Sequence, residues 1–152
     1  MLREKLNDAL KDAMRARDME AVGTVRLILA KLKEVDIASR TEANREGVAD
    51  DKILSMMQGM IKQRNESIVL YEKGGRPELA AKEKAEIAVI ERFLPQQMDE
   101  ASVDAAVKEA IAAAGAKTVK DMGGVMAQLK TKYAGQMDFA KASAAVKKAL
   151  SA

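Results

Sequence analysis

Residues 68–97, IVLYEKGGRPELAAKEKAEIAVIERFLPQQ, contain the end of one predicted helix, the whole of the next and a domain boundary. Gly74-Gly75 is a helix-stop pair, and we expect Gly74 to take the left-handed position just past the helix end. Pro77 suits the first turn of the following helix, where a proline sacrifices no hydrogen bond. Pro95 ends that helix, because it disfavours helical geometry in the residue before it.

Hydrophobic periodicity extends the helical pattern to the first half of the chain. Leu2, Leu6, Leu10 and Met14 recur every four residues and predict one face of a first helix. Asp50 or Asp51 suits the N-cap of the third helix. We therefore expect helices over about residues 2–17, 20–40, 50–73 and 77–94, with a polar loop at 41–50.

The composition favours an all-α, multihelical fold. Of the 152 residues, 48% are hydrophobic and only 3% are aromatic, and the common residues are good helix formers. The chain has no Cys and no His, which removes thiol nucleophiles, thiolate zinc sites and the commonest general base. No Walker loop, GxSxG or EF-hand pattern occurs. A self-contained enzyme is therefore disfavoured, and we expect neither a metal nor another cofactor.

Composition changes at Pro95-Gln96-Gln97, which we predict to be the domain boundary. All the arginines lie before this point and none lies after it. We expect a four-helix subdomain at 1–95 and a three-helix subdomain at 96–152. The three later helices are predicted at about 100–114, 119–133 and 139–150.

Turn and cap residues mark the ends of these later helices. Gly115 and Gly135 are expected to stop the first two. Thr118 with Asp121 resembles a capping box, and Asp138 suits an N-cap.

Charge is unevenly distributed in the second part of the chain. Residues 96–116 hold one lysine against four acidic residues, whereas residues 117–152 hold seven lysines against two aspartates. The whole chain carries only +3, which permits an acidic partner without requiring one. No run has signal-peptide or membrane-span character, so a cytoplasmic protein without a membrane partner is expected.

The segment DMGGVMAQLKTKYAGQMD, residues 121–138, places two glycines near the start of a predicted helix. Met122, Val125, Met126, Leu129 and Tyr133 form its core stripe. The opposite face, which we call the glycine face, carries Lys120, Gly123, Gly124, Ala127, Lys130 and Thr131. Such a face could admit a phosphate backbone. Alternatively, its small residues could allow a neighbouring helix to pack closely.

A second candidate surface surrounds the turn quoted first. The N–H groups of the segment Gly74 to Pro77, which includes Gly75, could form an anion nest together with Arg76, although a helix end followed by a helix start explains the segment more simply. The basic and amide residues Lys62, Gln63 and Arg64 could contact RNA or protein, although a solvated helix face is the simpler interpretation.

Residues 62–98, KQRNESIVLYEKGGRPELAAKEKAEIAVIERFLPQQM, resemble the signature of the YqeY family. The matching positions there are Lys62, Gln63, Arg64, Ser67, Tyr71, Gly75, Arg76, Leu79, Glu83, Glu86, Leu94, Pro95 and Gln96. The segments DMGGVM and GQMD match through Asp121, Met122, Gly123, Val125, Met126, Gly135 and Asp138. One departure is Gly124, which stands where a lysine often follows the DMG element in the family.

That family is similar to the C-terminal tail of the B subunit of the tRNA-dependent amidotransferase, which uses glutamine as nitrogen donor. The resemblance implies a multihelical fold in two subdomains and recognition of tRNA. The glutaminase and kinase sites of that complex lie outside the tail. The resemblance therefore implies a binding module without its own catalytic site.

Three functional hypotheses follow. The first is an accessory protein that binds tRNA or another structured RNA through Lys120, Gly123, Gly124, Lys130, Lys132, Lys141, Lys147 and Lys148. The second is a module that docks on a synthetase, an amidotransferase or another protein of the aminoacyl-tRNA pathway, using Lys62, Gln63, Arg64, Gly75, Arg76 and the groove between the two parts. The third, an independent amide-transferring enzyme, is disfavoured by the missing His and Cys.

Overall fold

The all-α prediction is confirmed. The computed structural model describes Met1–Ser151, and every regular element in that range is helical. The helices are α1 (Leu2–Arg15), α2 (Met19–Ala38), α3 (Asp50–Lys73), α4 (Pro77–Glu91), α5 (Glu100–Ala114), α6 (Met122–Lys132) and α7 (Phe139–Ser151). A 3-10 turn, Val119–Asp121, leads into α6. None of these described helices combines the length and apolar character that crossing a bilayer requires.

The chain forms two compact units, Met1–Leu94 and Pro95–Ala152, called here the N-terminal and C-terminal units. In the N-terminal unit, α3 packs along α4, α1 packs against α2, and α2 also contacts α4. Its core is built from aliphatic and methionine side chains such as Leu6, Ile28, Met57 and Ile90, all fully buried.

The predicted face of α1 is wrong at its last position. Leu2 and Leu6 are buried, but Met14 is 52% exposed and Ala13 is buried instead. A spacing of four residues exceeds the 3.6-residue turn, so each step rotates about 40° and three steps rotate about 120° around the helix. Ala13, eleven residues after Leu2, returns to the same face.

Two predicted helix caps are also displaced. Ala49, rather than either aspartate, occupies the N-cap of α3, and Asp50 is its first residue, with Oδ1 3.4 Å from the backbone nitrogen of Leu2. At the end of α3, Gly74 has φ −83° and Gly75 has φ +70°. The left-handed position therefore belongs to Gly75, one residue later than predicted.

A partly buried ion pair joins α1, α2 and the loop before α3. The guanidinium of Arg3 donates to both carboxylate oxygens of Asp36 at 2.6 Å. Asp36 Oδ1 also accepts the backbone N–H of Val48 at 2.9 Å, and Arg3 Nη2 donates to the carbonyl of Val48 at 2.9 Å. Gly47 is required beside them, because it has φ +99° and a Cβ there would lie 2.5 Å from Arg3 Nη2.

These hydrogen bonds hold the pKa of the Asp36 carboxyl below its ordinary value, the Arg3 bond contributing most and the Val48 N–H adding to it. A carboxyl group whose pKa is lowered by folding stabilises the native state above its unfolded pKa, about 3.9. That stabilisation is lost as the pH falls through the lower, folded pKa.

We predict that Asp36→Asn is less stable than the wild type at neutral pH and that the difference narrows below about pH 4. Urea unfolding followed by circular dichroism between neutral and acid pH measures both midpoints. A difference that stays constant across this range would contradict the assignment of the shift to Asp36.

The C-terminal unit packs α5, α6 and α7 around Val107, Val125, Leu129, Met137 and Val146. Gly115 ends α5 in the left-handed conformation, as predicted, with φ +62°. Asp99 caps α5 by accepting the N–H of Ser102 at 2.7 Å. Asp138 caps α7 as predicted, by accepting the N–H of Ala140 at 2.9 Å.

The segment that follows Pro95 is bound to the loop between α6 and α7. Gln97 Nε2 donates to the carbonyl of Gly135 at 2.6 Å and to that of Pro95 at 3.0 Å. The N–H of Met98 donates to the carbonyl of Gln136 at 2.8 Å. These bonds hold the start of the C-terminal unit against the loop between α6 and α7.

Candidate nucleic-acid interface

The start of α6 is fixed by Asp121. Its carboxylate accepts the backbone N–H of Lys117 at 2.9 Å and that of Thr118 at 3.2 Å, which completes the predicted capping box. These two bonds hold the pKa of the Asp121 carboxyl below its ordinary value. The acidic side chain nearest the two glycines in sequence is therefore engaged with the backbone.

One side of α6 is buried, as predicted. Val125 and Leu129 are fully buried, and Met122, Met126 and Tyr133 pack against the same core. The glycine face lies on the other side, where all six of its residues are exposed. Thr131 Oγ1 donates back to the carbonyl of Ala127 at 2.9 Å, so its hydroxyl is satisfied within the helix.

The two glycines have open space in front of them. Apart from its chain neighbours and the nearby backbone of its own helix, a Cβ built on Gly123 or Gly124 meets no heavy atom within 4 Å among the described residues. Among the described residues, therefore, no neighbouring helix packs closely on the two glycines, as the alternative interpretation of this face required. Glycine lowers helix stability by about 0.5–1 kcal/mol relative to alanine, and the residues that the structure describes provide no close packing at these two positions to compensate for it.

The six candidate lysines are all exposed but have different surroundings. Lys132 Nζ donates to Glu109 Oε1 on α5 at 3.2 Å and lies 5.4 Å from the ring centroid of Tyr133. The hydrogen bond that Lys132 donates to Glu109 is the main cause that raises the pKa of Lys132. Lys141 lines a groove of the same unit together with the carboxylates Glu100, Asp104 and Asp138.

The other four lysines have no ion pair among residues 1–151: Lys120, Lys130, Lys147 and Lys148. Helical periodicity places Lys130 near Gly123 on α6, about 160° around the helix from Lys132. Lys147 similarly lies across α7 from Ala145, which lines the groove beside α5. The unpaired charges of Lys130 and Lys147 therefore lie on flanks that face away from the acidic helix α5.

The interaction between Lys132 and Glu109 could not be read from the sequence. The two residues are 23 positions apart and lie on different helices. No spacing rule connects them, although the excess of acidic residues in 96–116 was the available signal that α5 would attract lysines. Within the described residues, no group of three or more acidic side chains is arranged to hold a metal ion.

One member of the second candidate surface, Arg64, is engaged within the N-terminal unit. Arg64 Nε lies 2.9 Å from Glu86 Oε2 and 3.9 Å from Glu83 Oε2, and Arg64 Nη1 donates to the carbonyl of Met60 at 3.2 Å. Its side chain is only 14% exposed. Arg64 thus joins α3 to α4.

The other members of that surface are more accessible. Arg76 Nε pairs with Glu78 Oε1 at 2.6 Å, and Gly75 forms the left-handed turn. Lys62 and Gln63 are exposed on α3, and Gln63 lines a groove between α2 and α3.

Comparison with known proteins assigns this chain to a family. The family described as Yqey-like protein matches residues 3–150, nearly the whole chain. The chain belongs to the YqeY family. Its resemblance to that family, first apparent from residues 62–98 and the DMGGVM segment, is thereby confirmed.

Two curated relatives are similar to this YqeY-family chain. An uncharacterized protein of Schizosaccharomyces pombe is 26% identical over 95 residues, which is 62% of this chain and 73% of the relative. The altered inheritance of mitochondria protein 41, mitochondrial, of Pyrenophora tritici-repentis is 30% identical over 109 residues. That match covers 70% of this chain and 58% of the relative.

Several residues that carry the family resemblance have structural roles in this YqeY-family chain. Asp121 and Asp138 cap helices, and Gly75 and Gly135 have φ +70° and +74°. Arg64 pairs with Glu86. Gly123 has no such role among the described residues, because it is exposed and in contact with no other element.

We predict that Arg64→Ala lowers the free energy of unfolding by about 2–3 kcal/mol, because it leaves the poorly exposed Glu86 without its cation. Lys62→Ala, two residues away on the same helix but exposed, should change it by less than about 0.5 kcal/mol. Urea unfolding of the full chain measures both values. Equal and small effects would show that the contact between Arg64 and Glu86 does not hold α3 to α4.

Proposed function

We propose that this YqeY-family protein is an RNA-binding accessory module whose C-terminal unit contacts the phosphate backbone of tRNA or another folded RNA. The observation that carries the proposal is the uncovered pair Gly123 and Gly124 on α6, flanked by the unpaired Lys120 and Lys130. The proposal retains the two glycines and all six lysines of the sequence hypothesis, but it gives them unequal weight.

The physical argument combines close approach with charge. A helix without side chains at two exposed positions lets a phosphate group come close to the backbone and to the N–H groups near the helix start. Lysines on the flank then neutralise phosphates and release their counterions. Lys130 supplies this charge without competition, whereas Lys132 has to leave Glu109 first.

Recognition by this surface would depend on RNA shape and charge. The C-terminal unit has two aromatic side chains, Tyr133 and Phe139, and both pack partly buried against its core. Neither is displayed as a platform on which bases could stack. We therefore expect contacts to phosphates and sugars and little discrimination between sequences.

The relation to the amidotransferase tail gives this proposal its biological setting. We expect the chain to bind an RNA of the aminoacyl-tRNA pathway in the cytoplasm. We do not expect the chain itself to transfer an amide, because its sequence lacks His and Cys. The cytoplasmic location stays a prediction, since the name of one relative describes that relative as mitochondrial.

We predict that the full chain binds bulk tRNA and that affinity falls on the order of 10²–10³-fold between about 50 and 200 mM salt, as expected for four to six phosphate contacts. Gly123→Glu/Gly124→Glu should weaken binding at least about tenfold, because carboxylates then face the phosphates. Fluorescence anisotropy across a salt series measures both effects.

The matched control is Ala105→Glu/Ala112→Glu, which adds the same charge to the exposed face of α5 in the same unit. Its affinity should stay close to that of the wild type. The glycine variant should remain folded, because glutamate favours both helix formation and a position near the helix start. Absent binding, a flat salt dependence, or equal losses in both double variants would overturn the proposal.

The different surroundings of two lysines on α6 give a finer prediction. Lys130→Gln should weaken tRNA binding uniformly and reduce the magnitude of the salt slope by about one. Lys132→Gln should change the slope much less, because Lys132 is already paired with Glu109. Salt titrations of the two single variants compare them directly. A larger effect at Lys132 would place the RNA on the α5 side of α6, contrary to the proposal.

A further inference from the structure

A groove of about 530 Å³ opens between α2 and α3 in the N-terminal unit. Its apolar lining comes from Val35 on α2 and from Met56 and Met60 on α3. The part of α3 that lines it, from Lys52 to Gln63, is about 17 Å long at 1.5 Å per residue. That length matches about three turns of a partner helix, and methionine side chains adapt readily to such a partner.

The two charged side chains that line the groove are basic, and one of them is already paired with a carboxylate. Lys31 on α2 and Lys52 on α3 both line it, and none of the lining residues within the described range is acidic. Lys31 Nζ lies 3.0 Å from Glu34 Oε2 outside the groove, with side chains 48% and 69% exposed. Lys31 therefore has to leave Glu34 before it can pair with a carboxylate of a partner, although an exposed pair of this kind is weak.

Gly59 lies in the lining of this groove, in the middle of the 24-residue helix α3. A Cβ at Gly59 would meet no heavy atom within 4 Å among the described residues. Its backbone conformation is one that any residue can adopt. No contact among the described residues of the unit requires a glycine at this position. A glycine there does allow the backbone of a partner helix to approach α3 closely.

We propose that the groove between α2 and α3 binds an amphipathic helix of a partner protein whose apolar face is bordered by acidic residues. The apolar side of that helix would contact the partly exposed Val35 and Met56 over Gly59. Its carboxylates would pair with Lys31 and Lys52. A phosphate backbone suits this groove less well, because it would bury charge against an apolar lining. This proposal concerns the N-terminal unit and is independent of RNA binding by the C-terminal unit.

The test uses the full chain and a synthetic helical peptide of about 18 residues, with leucine and alanine on one face and glutamate on both flanks. A peptide with lysine in place of every glutamate is its charge control. The wild type should bind the acidic peptide saturably by fluorescence anisotropy. It should bind the basic peptide at least about tenfold more weakly, because the lysines of the groove repel it.

Two variants place the binding in the groove. Gly59→Leu should weaken binding of the acidic peptide at least about tenfold by filling the space above α3. Gly23→Leu is the matched control, because Gly23 is also exposed within a helix and has open space where a Cβ would be added, but it lies outside the groove. Lys31→Glu/Lys52→Glu should reverse the preference between the two peptides.

Several outcomes would overturn this proposal. They are no saturable binding of the acidic peptide, equal binding of both peptides, and equal effects of Gly59→Leu and Gly23→Leu. Loss of tRNA affinity in Lys31→Glu/Lys52→Glu would identify the groove as an RNA surface instead. A wild-type dimer in sedimentation that Gly59→Leu alone dissociates would show that a second copy occupies the groove.

Discussion

The hydrogen bonds between the Pro95–Met98 segment and the loop after α6 close the C-terminal unit around its hydrophobic core. They join the first residues of the unit to Gly135 and Gln136. Met98 and Met137, on either side of this junction, both pack into the core. A three-helix unit closed in this way can cover only one side of each helix. The glycine face of α6 is one of the sides that this unit leaves exposed.

The sequence predicted the helical class, most helix positions and the core stripe of α6, because these depend on local periodicity and on turn residues. It failed where tertiary geometry decides. Met14 turns out of the core because α1 keeps its 3.6-residue period, and Ala49 takes the cap expected of an aspartate. The candidate site shows the same division. The open space at the glycines and the pairing of Lys132 with Glu109 depend on which helices become neighbours, and no spacing within one helix specifies that.

The residues that identify the family and the residues proposed to bind RNA are largely different sets. Arg64, Asp121 and Asp138 match the family, and each is accounted for by an ion pair or a helix cap. The candidate lysines Lys130, Lys147 and Lys148 lie outside those motifs. Gly123 belongs to both sets, and neither a turn nor a packing contact among residues 1–151 explains it. Family membership therefore supports the fold more strongly than it supports any one function.

Phosphate contacts alone give weak and unspecific binding, with dissociation constants of roughly 10⁻⁴–10⁻⁶ M at physiological salt. The C-terminal unit carries no displayed aromatic side chain that would add base recognition. A protein with only this surface would not distinguish one RNA from another. A second contact that delivers the chain to a particular RNA–protein complex would raise the effective concentration of the basic surface near its target. The groove between α2 and α3 has the charge and apolar character for such a contact. An acidic helix on a partner protein would then supply the specificity that the glycine face lacks.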